Sequence, residues 1–274
     1  MNLAEIDFSP FSRQWLGHRS ILSLAKLRRQ ARTWNKRMYK DKVTITRQMR
    51  GLSTFANLGQ RVLLKMIGPL KSQLVVRFPI VSPEIRAFIL SRFDPVRDFS
   101  IALALQTIKR EQLPGDMAEL GVFKGKTSSL IHRLCPERRL YLFDTFEGFP
   151  AGDLETCSRD RRFDDSSVEY VSSLFNDQRN IVFRKGYFPE TAIGLENSRF
   201  CFVMLDADLY KPTLAGLEFF YHRMAPGGYI FAHDYTSFES GRGVSRAIDQ
   251  FLADKPEKVI ELPDTWGSVV FRKL

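Results

Sequence analysis

Two short segments hold the residue types that bind a cation and move a proton: Leu205-Asp206-Ala207-Asp208-Leu209-Tyr210, and Pro226-Gly-Gly-Tyr-Ile-Phe-Ala-His233-Asp234-Tyr235. The first leaves an apolar stretch, Phe200 to Leu205, that reads as a strand. If extended geometry persists through Asp-x-Asp, both carboxylates fall on one side, because side chains alternate with period two. If the strand ending at His233-Asp234 lies beside it, the two carboxyl ends are about 5 Å apart, and ligands of open α/β sheets bind at that edge. Three acids and an imidazole then face one crevice, a set suited to a hard divalent cation that keeps several waters. Capping of the following helices accounts for one of these acids easily and for all of them poorly.

A second constellation lies upstream, in Ala118-Glu119-Leu120-Gly121-Val122-Phe123-Lys124-Gly125-Lys126-Thr127-Ser128. A short strand running through glycines into a helix N-terminus lets a ligand approach the backbone closely. Two ligands compete. Gly-x-x-x-Gly-Lys-Thr resembles a phosphate-binding loop, with Asp206 as its magnesium acid, but such a loop needs four residues between its glycines and this one has three. S-adenosylmethionine instead needs an acid near the first loop and another after the second strand. Glu119 precedes the loop, and Asp144 ends Tyr141-Leu-Phe-Asp, near the ~20-residue spacing of a glycine loop and its ribose acid.

These residues must be positioned by something, and the pattern from Pro95 onward alternates helix and strand. Helices are expected over Phe99 to Arg110 and Thr127 to Leu134, and strands at Met117 to Leu120, Leu140 to Phe143, Ile181 to Arg184, Phe200 to Leu205 and Tyr229 to Ala232. Alternation of this kind implies a mostly parallel sheet covered on both faces. The end departs from it: Lys258-Val-Ile-Glu-Leu and Ser268-Val-Val-Phe-Arg flank a turn, Pro263 to Gly267, as in a final hairpin. Pro150 to Asn180, with Arg159, Asp160, Arg161, Arg162, Asp164 and Asp165, reads either as a lid over the acceptor or as a plain solvated loop. His18, His132 and His222 read as structural. The phenylalanines read mostly as core, with Phe123 and Phe146 expected near the adenosine or the acceptor mouth.

Composition narrows the class. The 274 residues are 44% hydrophobic and 26% charged, which excludes collagen-like, low-complexity and fully disordered chains. The formal charge of +10 is uneven: residues 1–79 hold 16 Lys/Arg against three acids, leaving 25 against 28 in residues 80–274. A basic extension, 1–79, with a basic amphipathic helix between Ser20 and Lys40, thus precedes a nearly neutral domain, 80–274, the boundary falling at Pro79 and Pro83. The arm reads as an oligomer contact or packing against its own domain, as a docking element for an anionic membrane surface, or as disordered; nucleic acid has no supporting motif. The longest apolar run, Phe200 to Leu205, is far short of the ~18 residues a membrane span needs. No secretory leader is expected, and Cys135, Cys157 and Cys201, without a CxxC pair, read as reduced cytoplasmic thiols. The location expected is cytoplasmic, with peripheral membrane attachment through the arm as an option.

Five segments together resemble the macrocin O-methyltransferase family: Glu119-Leu-Gly-Val-Phe-Lys-Gly, Phe143-Asp-Thr-Phe-Glu-Gly-Phe-Pro150, Leu205-Asp-Ala-Asp-Leu-Tyr210, Pro226-Gly-Gly, and Gly243-Val-Ser-Arg-Ala-Ile-Asp-Gln-Phe251. The resemblance runs in order from about Phe99 to Lys273 and does not reach residues 1–79. It implies a class I methyltransferase fold, a Rossmann-like seven-stranded sheet with a terminal antiparallel hairpin, and S-adenosylmethionine-dependent O-methylation of a sugar or glycosylated product. It implies further that Glu119 and Gly121, with Ser128, line the methionine side of the cofactor, that Asp144 meets its ribose, that Asp206 and Asp234 hold magnesium, and that Asp208 is the general base. The family usually has two consecutive aspartates where this chain has His233-Asp234. His233 is therefore expected either as third metal ligand or as an alternative base. The competing expectation is a non-catalytic scaffold subunit of a tailoring complex that keeps the cofactor fold. An acceptor small molecule or glycan and a homo-oligomer are the partners expected.

Overall fold

A computed structural model describes residues 81–155, 160–238 and 241–274. The basic arm, its amphipathic helix, the boundary at Pro79, His18 and Cys157 lie outside the described residues.

Pro83 opens a helix rather than breaking the chain. Helix α1 (Pro83–Leu90) has Ser82 as its cap, the Oγ accepting from the Ile85 amide at 3.3 Å, and proline suits the first helical position because its missing N–H would be unpaired there anyway. The same device starts α2 (Pro95–Arg110), where the Asp94 carboxylate accepts from the Arg97 amide at 3.2 Å. The helix therefore begins four residues before Phe99, the start expected from periodicity, and that extra turn carries Arg97 to the site described below.

Strands β1 (Asp116–Leu120), β2 (Leu140–Asp144), β3 (Ile181–Lys185), β4 (Phe200–Leu205), β5 (Met224–Ala232), β6 (Ile260–Glu261) and β7 (Val269–Arg272) form one seven-stranded sheet in the order β3-β2-β1-β4-β5-β7-β6. The first five are parallel, and β7 runs antiparallel to both β5 and β6. The expected hairpin is present, with its paired part shorter than expected on the β6 side. β5 is longer than expected and includes Pro226-Gly227-Gly228. That stretch is extended because the end of the chain returns to it: Gly227 N–H donates to the Lys273 carbonyl at 2.7 Å, and Lys273 N–H to Gly228 at 2.8 Å.

Period-two alternation sorts the core. Met117, Leu140, Leu142, Met204 and Phe231 face α2 and α3 (Lys126–Leu134), while Ala118, Tyr141, Phe143, Val203 and Ile230 face α5 (Tyr210–Tyr221) and α6 (Gly243–Leu252). A short α4 (Val168–Ser172) precedes β3. Phe143, Phe188, Phe200 and Phe220 pack edge to face or stacked, with centroids 5.1 to 5.9 Å apart. Each buried ring contributes about 1.5–3 kcal/mol relative to exposure. Phe146 belongs to this interior, 4% exposed and tilted against Phe183, and not to the ligand mouth as expected. Cys135 and Cys201 are free and buried. His132 is buried edge-on against Phe175, a structural histidine. Among the described residues no helix is long and apolar enough to cross a membrane.

Candidate active site

Strand order reverses direction between β1 and β4, the point where the carboxyl ends of an open sheet leave a crevice. A cavity of about 370 Å³ opens there, and Glu119, Gly121, Asp144, Asp206, Asp208, His233 and Asp234 all line it. Both constellations read from the sequence thus meet in one place.

The glycine loop is held from two sides. Gly121 has φ +89°, and a Cβ there would lie 2.1 Å from the Asp206 carbonyl oxygen, so only glycine lets the β1 loop cross the end of β4. Asp144 supports the loop: one carboxylate oxygen accepts from the Val122 and Phe123 amides at 2.7 and 2.8 Å, the other from Phe146 at 2.6 Å. Three of its roughly four acceptor sites are thereby used, so Asp144 shapes the loop besides lining the cavity. Glu119 is 1% exposed and accepts a hydrogen bond from the Ser128 hydroxyl, which places Ser128 behind Glu119. Burial, opposed by that hydrogen bond and reinforced by the nearby Asp206 charge, pushes the Glu119 carboxyl up to about 8.

The acid cluster forms differently from the expected alternation. β4 stops at Leu205, the Asp206 amide donates to Leu120 and the His233 amide to Leu205, pinning the two strand ends side by side. Asp208 and Asp234 both turn with φ +60°, a left-handed conformation that costs a non-glycine residue about 1–2 kcal/mol. Turns, not strand pleat, bring these acids together. His233 Nδ1 lies 2.9 Å from Asp206 Oδ1 and 2.8 Å from Asp234 Oδ2. Burial alone would push this imidazole down; Asp206 and then Asp234 outweigh it and hold it up at about 10. Asp206 is lowered in turn, the His233 charge overcoming burial. Asp208 is raised well above the ordinary carboxylate range by burial, then by Asp234 and Asp206. Among the described residues none hydrogen-bonds to its carboxylate.

Two cavity residues carry no local sequence signal. Arg97 Nη1 reaches Asp206 Oδ2 at 3.5 Å from the first turn of α2, a contact across 109 positions. Trp266, on the β6–β7 turn, lines the cavity from the far end of the chain. An Asp94-Pro95 helix start placed by capping rules would have brought Arg97 to notice; nothing comparable marks Trp266.

The charged segment after β2 engages the glycine loop. Lys124 Nζ pairs with Asp165 at 2.5 Å, Ser166 Oγ donates to the Phe123 carbonyl, and Phe163 packs edge-on against Phe123 and Phe149 at 4.8 and 5.3 Å. Residues 160–166 are thus fastened to the glycine loop, which differs from a freely solvated loop.

Comparisons agree with this architecture. The solved O-methyltransferase NovP superposes with TM-score 0.54 at 20% identity, covering 79% of this chain and 98% of that one. CalS11, a calicheamicin methyltransferase, gives 0.56 at 19%, covering 78% and 91%. A Streptomyces olivaceus protein, 8-demethyl-8-(2,3-dimethoxy-alpha-L-rhamnosyl)-tetracenomycin-C 4'-O-methyltransferase, is 28% identical over 156 residues, and Mycinamicin III 3''-O-methyltransferase of Micromonospora griseorubida 25% over 150. These alignments span 50% and 48% of this chain and 59% of each relative. The family description Macrocin-O-methyltransferase matches residues 96–273, well over half the chain. With the sheet order, the glycine loop and the acid cluster all inside that span, the chain belongs to the macrocin O-methyltransferase family.

Proposed function

We propose that this chain transfers a methyl group from S-adenosylmethionine to a hydroxyl of a sugar or glycosylated product. The observation that carries the reading is the single crevice shared by the Glu119–Gly121 loop and the Asp206, Asp208, His233, Asp234 cluster. The rhamnosyl group in the name of the Streptomyces olivaceus relative supports a sugar acceptor.

The chemistry assigned to the residues follows from their surroundings. Asp208 would take the proton of the acceptor hydroxyl, and S-adenosylmethionine, when bound, would supply the methyl group, its sulfur keeping the electron pair of the broken carbon–sulfur bond. Asp208 suits the role because, among the described residues, none hydrogen-bonds to its carboxylate, and its raised pKa makes it a stronger base. His233 does not: its Nδ1 is committed to two carboxylates and its Nε2 is buried without a hydrogen-bond partner among the described residues. Glu119, buried beside the glycine loop, is the counter-charge for the cofactor's amino group.

One ligand atom each from Asp206, His233 and Asp234 lies within 4.8 Å of the others, so the three residues can hold a divalent cation once the imidazole gives up its proton and the ion replaces its contacts to the two carboxylates. An imidazole in the set fits zinc, ferrous or nickel ions better than magnesium, which prefers oxygen. When bound, such an ion supplies positive charge that makes an alcohol a stronger acid.

Incubation with S-adenosylmethionine and simple glycosides, read by mass spectrometry, tests the proposal. A product heavier by one methyl-for-hydrogen exchange is expected. Cofactor binding without a methylated product from any glycoside would favour the scaffold reading instead.

A further inference from the structure

The crevice has a polar side, built from the acid cluster and Arg97, and an aromatic lining that includes Phe123, Phe149, Phe163, Tyr187 and Trp266. Trp266 is 38% exposed. Among the described residues its indole has no aromatic or cationic partner, whereas the backbone on both sides of it is fastened tightly. The Thr265 amide donates to Asp94 at 2.8 Å, the Ser268 amide to Asp264 at 2.7 Å, and the Thr236 hydroxyl to the Trp266 carbonyl at 3.1 Å. Gly267, with φ +70°, packs so closely that a Cβ would lie 1.9 Å from Thr236 Oγ1. Asp94 is also the cap of α2, so one carboxylate ties the turn carrying Trp266 to the helix carrying Arg97.

A single exposed aromatic on a surface is ordinary. A large ring left without a ring partner, carried by a fastened turn and lining the same cavity as the acids, is a partly preorganised binding surface: its backbone is already ordered, and only the indole's own rotamers remain to be fixed on ligand arrival. The complementary ligand has an apolar C–H face for the ring and hydroxyls at its edge for the carboxylates and Arg97, which describes a pyranose. We propose that Trp266 is the platform on which the acceptor sugar stacks. This assignment rests on the sugar-acceptor reading above and adds to it the residue that holds the ring.

Methyl α-L-rhamnopyranoside is the probe, with wild type, Trp266→Ala and Trp266→Tyr compared in steady-state kinetics and S-adenosylmethionine binding followed by calorimetry. Trp266→Ala is expected to raise the acceptor KM about tenfold or more, in line with losing a stacked aromatic contact. It should leave kcat close to wild type and cofactor affinity unchanged, and Trp266→Tyr should restore most of the affinity. An unchanged acceptor KM in Trp266→Ala, or an equal loss of cofactor affinity in a folded variant, overturns the platform while leaving the proposed function standing. If Trp266→Ala does not fold, Trp266→Leu, which keeps bulk without a π face, must show the same KM-against-kcat split. A wild type that binds cofactor but methylates no glycoside refutes the proposed function and the platform with it.

Discussion

Three titratable side chains, Glu119 and His233 buried and Asp208 half-buried, set the behaviour of the crevice. On the proposed reading of Asp208 as base, Asp208→Asn should lower kcat by about 10²–10⁴ with cofactor binding intact, as expected for loss of a positioned proton acceptor. Because its pKa is raised, the rate should fall on acidification at a pH above the usual carboxylate range near ~4, seen as a rising limb in the pH–rate profile. His233 holds Asp206 and Asp234 together, so His233→Asn leaves two neighbouring carboxylates without their shared cation. A loss of about 3–5 kcal/mol in the metal-free protein is expected, read from urea midpoints. The folded pKa is raised to about 10, so this contribution is complete below the unfolded value and fades as pH rises through about 10. A midpoint difference between variant and wild type that is the same at neutral and strongly alkaline pH would contradict it. Glu119, raised to about 8, carries its proton near neutrality, and a cationic cofactor beside it favours the ionised form. Binding should therefore release a proton at pH 7, making the calorimetric enthalpy depend on buffer ionisation heat, and affinity should climb until pH passes about 8. Equal enthalpies in phosphate and Tris would rule this out.

At the scale of elements, the site depends on two strand ends crossing. The β1 loop passes over the end of β4 at Gly121, where the glycine motif and Asp206 share one contact. Gly121→Ala must push Asp206 away or distort the loop. A stability loss of at least about 2 kcal/mol, with cofactor affinity and turnover falling together, is expected; normal thermal stability would show that the crossing is looser than the geometry indicates. This part of the site was legible from residue order, since glycines after a short strand specify a close backbone approach whatever the tertiary setting. The role of Asp144 was only half legible. Its spacing from Glu119 marked it as a cavity acid, but its service to the Val122, Phe123 and Phe146 amides depends on β2 lying beside β1.

For the whole molecule, the last strand enters the interior of the sheet. β7 sits between β5 and β6, Val269 and Phe271 are buried, and Lys273 and the Leu274 amide reach the buried carboxylate of Glu257. A chain ending at Gly267 should therefore lose cooperative unfolding altogether; a sigmoidal thermal transition near that of the full chain would disprove it. The same closure carries Trp266 to the cavity, so the final hairpin both completes the sheet and supplies part of the cavity lining.

Alternation of strand and helix, the glycine loop, the acids and the terminal hairpin were all determined by the sequence, because each is a local pattern whose period or turn chemistry operates within a dozen residues. Tertiary structure alone decided which residues joined them. Arg97 reaches Asp206 across the sheet, His233 lies between two carboxylates from two strand ends, Phe146 turns inward, and Trp266 arrives on a turn anchored to Asp94. Such contacts are set by strand order and helix start, and no periodicity in the chain encodes a partner more than a hundred positions away.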